Sequence, residues 1–77
     1  MRQALTSRQA EVFRFIEQFI VTQRHSPSLE DIRAAFGWVS RASASVHTMP
    51  LRKKGWITWT ESKARTIRIT DAKEGSK

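Results

Sequence analysis

The sequence contains no cysteine, and only three glycines and two prolines among its 77 residues. The absence of cysteine excludes disulfides and thiolate metal sites, and three glycines are too few for a glycine-rich phosphate loop. The longest apolar stretch, around residues 12–21, is interrupted by Arg14, Glu17 and Gln18. Neither a membrane span nor a secretory signal is therefore predicted, and we expect a cytoplasmic protein.

Side chains suited to catalysis are also scarce. His25 and His47 fall in different predicted elements, and neither has a neighbouring ligand at metal-binding spacing. The carboxylates Glu30 and Asp31 are better explained by stabilising the start of a helix than by acid–base chemistry. Seventy-seven residues allow one domain with little room for a catalytic cleft. We expect no enzyme activity, no cofactor or metal, and no small-molecule substrate.

Acidic residues are few in the second half of the chain. Residues 1–38 hold five basic and four acidic side chains, a net charge of +1, whereas residues 39–77 hold nine basic and three acidic, a net charge of +6. A positive field of this kind attracts phosphate through steering and counterion release. A basic surface that only aids solubility or loosely attracts any polyanion explains the charge equally well.

Two helices are predicted in the first half. The segment from Thr6 to Gln9 forms a capping box, so helix 1 begins near Ser7 and ends near Gln23. Its apolar residues recur at three- and four-residue steps and predict one core-facing stripe: Val12, Phe13, Ile16, Phe19 and Ile20. Ser28 caps helix 2, and Gly37 ends it. The residues expected to face inward from helix 2 are Leu29, Ile32, Ala35 and Phe36.

A sharp turn at residues 37–39 leads to Ser40, which can cap a third helix, and helix, tight turn and helix together form a helix-turn-helix signature. Ala44, Thr48 and Leu51 share the core-facing side of helix 3. The opposite side is small, weakly polar and free of acid, and comprises Ala42, Ser43, Ser45, Val46 and Met49. Such a face fits a DNA major groove, which is about 12 Å wide. An ordinary solvent-exposed helix face is the alternative.

Pro50 conflicts with a continuous third helix, because an interior proline removes a hydrogen bond and clashes with the preceding turn. We expect the helix to kink or end near Met49. The basic cluster Arg52, Lys53 and Lys54 then lies at a helix C-terminus, where the helix dipole favours cations. Binding of phosphate by these side chains is compatible with that electrostatic role.

Residues 56–60 and 66–70 alternate apolar and polar side chains, which predicts a β-hairpin with one buried face. Its loop carries Lys63 and Arg65, suited to a DNA backbone or minor groove, although charge on an exposed hairpin also discourages edge pairing. The predicted fold is mainly α with a small β-hairpin: a winged helix-turn-helix of three helices and a two-stranded antiparallel wing. It occupies residues 1–70, and residues 71–77 form a polar tail or the start of a linker.

Several segments resemble the amino-terminal domain of LexA-type SOS repressors, from about Ala4 to Ile69. The similar segments are Ala4-Leu-Thr-Ser-Arg-Gln-Ala-Glu-Val-Phe13, the Gly37-Trp38 corner, His47, Leu51, Lys54-Gly55 and Arg65-Thr-Ile-Arg68. The resemblance implies sequence-specific double-stranded DNA binding and transcriptional repression in the response to DNA damage, by a bacterial or phage-type regulator associated with the nucleoid when bound. It also implies a homodimer on a two-fold symmetric operator.

The resemblance assigns operator reading to five positions: Ser40, Ala42, Ser43, Ser45 and Val46. The residues expected to meet phosphates or a groove edge are Arg41, Arg52, Lys53, Lys54, Lys63 and Arg65. Family members such as the enterobacterial repressor carry asparagine at the position of Ala42 and acidic residues at Ser45 and Val46, and Thr48 and Pro50 replace helix-compatible residues. The operator therefore need not be the usual SOS sequence.

The chain also ends before the family's carboxy-terminal domain, which supplies dimerisation and self-cleavage, so no self-cleavage is expected. Either the chain is the DNA-binding half of a longer repressor, or it is a free-standing regulator. A different alternative is a winged-helix protein-interaction module, in which Trp38, Trp56 or Trp59 docks an acidic or apolar partner. That interpretation requires exposed tryptophans as interface anchors.

Overall fold

The structure is a computed structural model that describes residues 3–63 and 65–70. Its elements follow the order α1 (Ser7–Gln23), α2 (Leu29–Phe36), α3 (Arg41–Lys53), β1 (Ile57–Thr58) and β2 (Arg68–Ile69). The strands are antiparallel, with Ile57 opposite Ile69 and Thr58 opposite Arg68. Three helices and a two-stranded hairpin confirm the predicted winged helix-turn-helix. The predicted tail at residues 71–77 lies outside the described residues, and no helix in the described part is long and apolar enough to cross a membrane.

The first two helices begin and end as their sequences predict. The Thr6 hydroxyl accepts the Gln9 amide at 3.2 Å, and the Gln9 side chain accepts the Thr6 amide at 3.1 Å. Ser28 and Asp31 make the same reciprocal pair at the start of α2, at 3.1 and 3.0 Å. These bonds satisfy amides that have no partner inside a helix. Gly37 ends α2 in the left-handed conformation, with φ of 70°.

The hydrophobic core draws side chains from all three helices and from the wing. Its buried apolar members are Val12, Ile16, Ile32, Ala44, Leu51, Ile57 and Ile67. Thr48 is buried among them and donates its hydroxyl to the Ser45 carbonyl at 3.2 Å. Each fully buried isoleucine or leucine stabilises the fold by about 1.5–3 kcal/mol. The predicted inward face of α3, with Ala44, Thr48 and Leu51, is confirmed.

Two residues of α2 were predicted to face inward and do not. Leu29 is 37% exposed, and Ala35 is also exposed. With only eight residues, α2 places a narrow stripe against its neighbours, in which Ile32 is buried and Phe36 is half-buried. The first residue of this helix instead borders the surface between α2 and the wing.

The predicted end of α3 near Met49 is wrong, because the helix continues through Pro50 to Lys53, and a kink near Met49 stays a prediction. Proline lacks the amide that would bond the carbonyl of residue 46. Val46 lies on the exposed side of the helix, where water can solvate that carbonyl. The Pro50 carbonyl still accepts the Lys54 amide at 2.9 Å, so the last turn remains hydrogen-bonded.

The strands are shorter than the predicted residues 56–60 and 66–70. Beyond Thr58, side-chain hydrogen bonds replace the ladder. The Thr60 amide donates to the Thr66 hydroxyl at 2.9 Å, and the Trp59 carbonyl accepts from Arg52 at 3.2 Å. The wing therefore keeps its hairpin path with only two residues in each strand.

Candidate nucleic-acid interface

The side of α3 opposite the core forms a row that we call the outward ridge: Ala42, Val46, Met49 and Lys53. Residues three and four positions apart lie next to one another on a helix surface. All four are exposed, Val46 by 65% and Met49 by 50%. The ridge therefore presents three apolar side chains followed by a cation, with no acidic group.

The predicted base-reading serines lie beside this ridge. Ser40 is the exposed N-cap residue of α3, and its side chain makes no capping hydrogen bond. Ser43 and Ser45 are half-buried on the two flanks of the helix. The structure thus places Ala42 and Val46 on the outward ridge, Ser43 and Ser45 on its flanks and Ser40 at the start of the helix, and the apolar side chains of the ridge are more exposed than Ser43 and Ser45.

Three stacked aromatic rings, those of Phe36, Trp38 and His47, pack together where α2, the turn and α3 meet. His47 lies against Trp38 with ring centroids 4.4 Å apart, and Trp38 lies against Phe36 with centroids 4.7 Å apart. The Nδ1 atom of His47 is 2.8 Å from the Ser43 carbonyl. Aromatic pairs contribute about 0.5–1.5 kcal/mol beyond their buried area. This stack connects α2, the turn and α3, so it fixes the orientation of the outward ridge.

Three of the predicted phosphate-binding cations are exposed and form no ion pair within the described part of the chain. They are Arg41 at the start of α3, Lys53 at its end and Lys63 in the wing. Their charged groups therefore remain available to a polyanion at the start of α3, at the end of the outward ridge and in the wing.

Arg52 is held by the wing. Its guanidinium lies 4.3 Å above the Trp59 ring and donates to the Trp59 carbonyl at 3.2 Å. It also forms an ion pair with Glu61. A guanidinium has five N–H donors, and these two hydrogen bonds occupy one on each terminal nitrogen. The contacts connect the last turn of α3 to the wing. Sequence reasoning missed this arrangement, although Glu61 is the only acidic residue between residues 39 and 70.

Lys54 and Arg65 also have partners within the molecule. The Lys54 ammonium donates to the Ala4 carbonyl at 2.9 Å and to the Gln9 side chain at 2.7 Å, which connects the end of α3 to the start of the chain. Arg65 donates to Asp31 at 2.8 Å and to the Ser26 carbonyl at 3.4 Å. Both residues therefore position neighbouring segments, in addition to any role toward DNA.

A hollow of about 470 Å³ lies between the start of α2, α3 and the wing. Leu29, Ser45 and Met49 form part of its walls, and the cations Arg41 and Lys63 also line it. The outward ridge and the wing are thus separated by a concave surface with cations on both sides.

Two acids line this hollow, Glu30 and Glu61, and Asp31 lies beside it; each of the three is paired with an arginine. The Ser28 amide, and then the Arg65 guanidinium, hold the pKa of the Asp31 carboxyl below its usual value. A hydrogen bond from Arg33 lowers the pKa of Glu30 in the same way. Both carboxylates remain ionised and hydrogen-bonded at neutral pH, which limits their repulsion of an approaching phosphate.

The tryptophans do not form an exposed docking surface. All three are half-buried. Trp56 packs edge-on against Phe13 with centroids 5.2 Å apart and donates its indole N–H to the Gln3 carbonyl at 2.7 Å. Trp38 lies in the ring stack, and Trp59 lies beneath Arg52. No aromatic side chain is among the large exposed apolar groups of the described chain, so the protein-docking alternative lacks its expected anchors.

A helix-turn-helix with a protruding acid-free α3, mounted beside a cationic hairpin, places the chain in the class of winged helix-turn-helix DNA-binding domains. A model of the LexA DNA binding domain matches residues 2–66. The chain belongs to this family, as the resemblance in its sequence predicted.

Complete repressors are among its relatives. The chain is 38% identical over 68 residues to the LexA repressor of Azoarcus sp. (strain BH72), covering 88% of the chain and 34% of that protein. It is 36% identical over 69 residues to the transcription regulator LexA of Synechocystis sp. (strain ATCC 27184 / PCC 6803 / Kazusa), covering 90% and 34%. For the LexA repressor of Staphylococcus aureus (strain USA300) the identity is 35% over 65 residues, covering 84% and 31%. The chain spans about a third of the length of these relatives.

Proposed function

We propose that this chain is the sequence-specific double-stranded DNA-binding module of a LexA-like transcriptional repressor. The observation that carries the proposal is the acid-free outward ridge of α3, with exposed cations at both ends of the helix and in the wing, in a chain of the LexA DNA-binding family. Helix α3 enters the major groove, and the wing lies along the backbone or in the minor groove. The module acts on DNA without catalysis, in the cytoplasm, and the repression serves the response to DNA damage.

The proposed roles of the side chains follow from their positions. The residues that read base edges are Ser40, Ala42, Ser43, Ser45 and Val46. Arg41, Lys53 and Lys63 contact phosphates directly, because each is exposed and outside any ion pair of the described residues. Arg52, Lys54 and Arg65 position the wing and the chain start, and in the proposed complex their remaining N–H groups meet phosphates or a groove edge.

Two copies of the module bind adjacent half-sites. A single DNA-binding module of this size buries about 600–1,000 Å² of protein surface, which gives weak affinity alone. Pairing on a two-fold symmetric operator supplies the missing contact area. Size-exclusion chromatography with light scattering, with and without operator, tests this: we expect a monomer that becomes a 2:1 complex, and a stable dimer without DNA would contradict it.

The DNA-binding function is tested by selection from randomised duplexes, followed by titration of a selected and a random duplex at two salt concentrations. We expect the selected duplex to bind more tightly, and both affinities to fall steeply with salt. Lys53→Gln should make the slope of log K against log salt concentration less steep by about one. Arg14→Gln is the matched control, because it removes the same charge from an exposed position on α1. Indifference to DNA at both salt concentrations would reject the function and leave the protein-interaction module as the better interpretation.

A further inference from the structure

The middle of α3 lacks the side chains that usually recognise bases by specific hydrogen bonds. Adenine is read by asparagine or glutamine, cytosine by aspartate or glutamate, and guanine by arginine or lysine. Between Arg41 and Lys53 the helix contains no asparagine, glutamine, aspartate or glutamate. Its cations lie at the two ends, with Arg41 first and Arg52 and Lys53 last. The middle of the helix therefore has no bidentate base reader.

What the middle of the helix does present is apolar. Ala42, Val46 and Met49 follow one another along the outward ridge, and the seven residue-to-residue steps from Ala42 to Met49 span about 10 Å of helix. That length matches about three base steps at 3.4 Å each. The C5-methyl group of thymine is the apolar feature that base edges offer in the major groove.

The energetics favour thymine over the other bases at these positions. A methyl group packed against Val46 or Met49 removes apolar surface of both partners from water. An amino or carbonyl edge at the same place loses its hydration and gains no hydrogen bond, which is unfavourable. The cations Arg41 and Lys53 at the ends of the ridge identify DNA as the occupant, because they complement the phosphates that flank a major groove.

We propose that each half-site of the operator is a thymine-rich track of about three base pairs that the outward ridge reads through the methyl groups, with Val46 and Met49 as specificity-determining residues. The inference rests on the proposed DNA-binding function and extends it by naming the kind of sequence that is recognised. It also adds Met49 to the base-reading residues.

The direct experiment replaces thymines of the selected duplex by deoxyuridine, one position at a time. This substitution removes the methyl group and keeps the base pairing and the hydrogen-bonding edge. Each methyl group that contacts the ridge should weaken binding about fourfold when removed. Thymines outside the half-site serve as internal controls and should show no change.

A mutant cycle assigns the methyl groups to side chains. Val46→Ala should weaken binding to the thymine duplex and abolish the deoxyuridine effect at one position, and Met49→Ala should do so at a neighbouring position. Val21→Ala is the matched control, because Val21 is 69% exposed on α1 and loses the same two methyl groups. All three positions are at least half exposed, and circular dichroism of each variant verifies that it folds.

The outcomes separate the two levels of the proposal. A selected duplex that binds specifically but tolerates deoxyuridine at every position would overturn methyl reading and leave DNA recognition standing. A deoxyuridine effect that persists unchanged in both alanine variants would likewise overturn the assignment to the ridge. Failure to bind any duplex preferentially would reject the DNA-binding function, and the inference with it.

Discussion

The Arg65 guanidinium of the wing lies 2.8 Å from the Asp31 carboxylate, which at the same time accepts the Ser28 amide in the capping box of α2. One carboxylate thus joins the start of α2 to the wing. The backbone of Arg65 is left-handed, with φ of 59°, a conformation that side-chain-bearing residues adopt at a cost. Together with the pair between Arg52 and Glu61, this contact fixes the wing against both α2 and α3.

Asp31 makes stability depend on pH in the acid range. The pKa of Asp31 is lower in the folded protein than in the unfolded chain, where it is about 3.9. Its contribution to the free energy of unfolding is therefore fully present above about pH 5 and is lost as the pH falls through the unfolded and then the folded pKa. We expect Asp31→Asn to lower the free energy of unfolding at pH 7 by about 1 kcal/mol, because the charge on the cap and the ion pair are lost. Urea titrations between pH 3 and 7 measure this.

The acid dependence itself should become shallower in Asp31→Asn, since the variant has one fewer carboxylate to protonate. Glu30, whose pKa is also lowered, supplies a remaining dependence. Glu17→Gln removes an exposed carboxyl outside the ion pairs described and is the matched control for the loss of one negative charge. A parallel shift of the Asp31→Asn curve with unchanged slope would show that the carboxylate charge does not stabilise the fold.

In the proposed complex with DNA, Glu61 would compete with the phosphates for Arg52, because both offer an anionic oxygen to the same guanidinium. Glu61→Gln removes one negative charge from the wing and frees Arg52. We therefore expect tighter binding to random and selected duplexes alike, and a slope of log K against log salt concentration that is steeper by about one. The measurement is a titration at two salt concentrations. Weaker binding by the variant would mean that the ion pair's positioning of the wing matters more than the released charge.

Lys53 and Lys54 are adjacent but should respond differently to substitution. Lys53 is exposed on the outward ridge, whereas Lys54 donates to the Ala4 carbonyl and the Gln9 side chain. We expect Lys54→Gln to lower the free energy of unfolding by about 1 kcal/mol and Lys53→Gln to leave it within about 0.5 kcal/mol. In DNA titrations we expect the opposite order: Lys53→Gln should lose more of the salt dependence of binding than Lys54→Gln. Equal behaviour of the two variants in both assays would contradict these assignments.

Local signals in the sequence were sufficient for the bounds of α1 and α2 and for the buried side of α3, but not for the end of α3. Capping residues and three- to four-residue spacing depend only on neighbours along the chain, and they placed α1, α2 and the buried side of α3 correctly. The partners of Arg52 and Arg65 were not predictable in this way. Arg65 lies 34 residues from Asp31, and only the folded chain brings the two together.

The residues of the candidate site were predictable from local pattern, but their exposure was not. Helical periodicity separated the outward side of α3 from its core side, but it did not show that Ser43 and Ser45 would be half-buried while Val46 and Met49 protrude. That difference depends on how closely α2 and the wing approach the two flanks of α3. The same limit explains why Leu29 and Ala35 were predicted to face inward but are exposed: the pattern along α2 does not reveal which side of the helix has a neighbour.

Pro50 remains inside α3 at a cost to stability, because the helix lacks one hydrogen bond there. Proline in a helix interior is about 3 kcal/mol less favourable than alanine, but it also restricts the unfolded chain and lies only three residues before the helix ends. We therefore expect Pro50→Ala to raise the free energy of unfolding by about 1–2 kcal/mol and the Tm by about 4–8 °C per kcal/mol. Gln18→Ala, at an exposed position inside α1, should change the free energy by only a few tenths of a kcal/mol, on the order of its helix propensity. If Pro50→Ala instead destabilises the protein, the proline ring contributes more through packing at the end of α3 than it costs in lost hydrogen bonding.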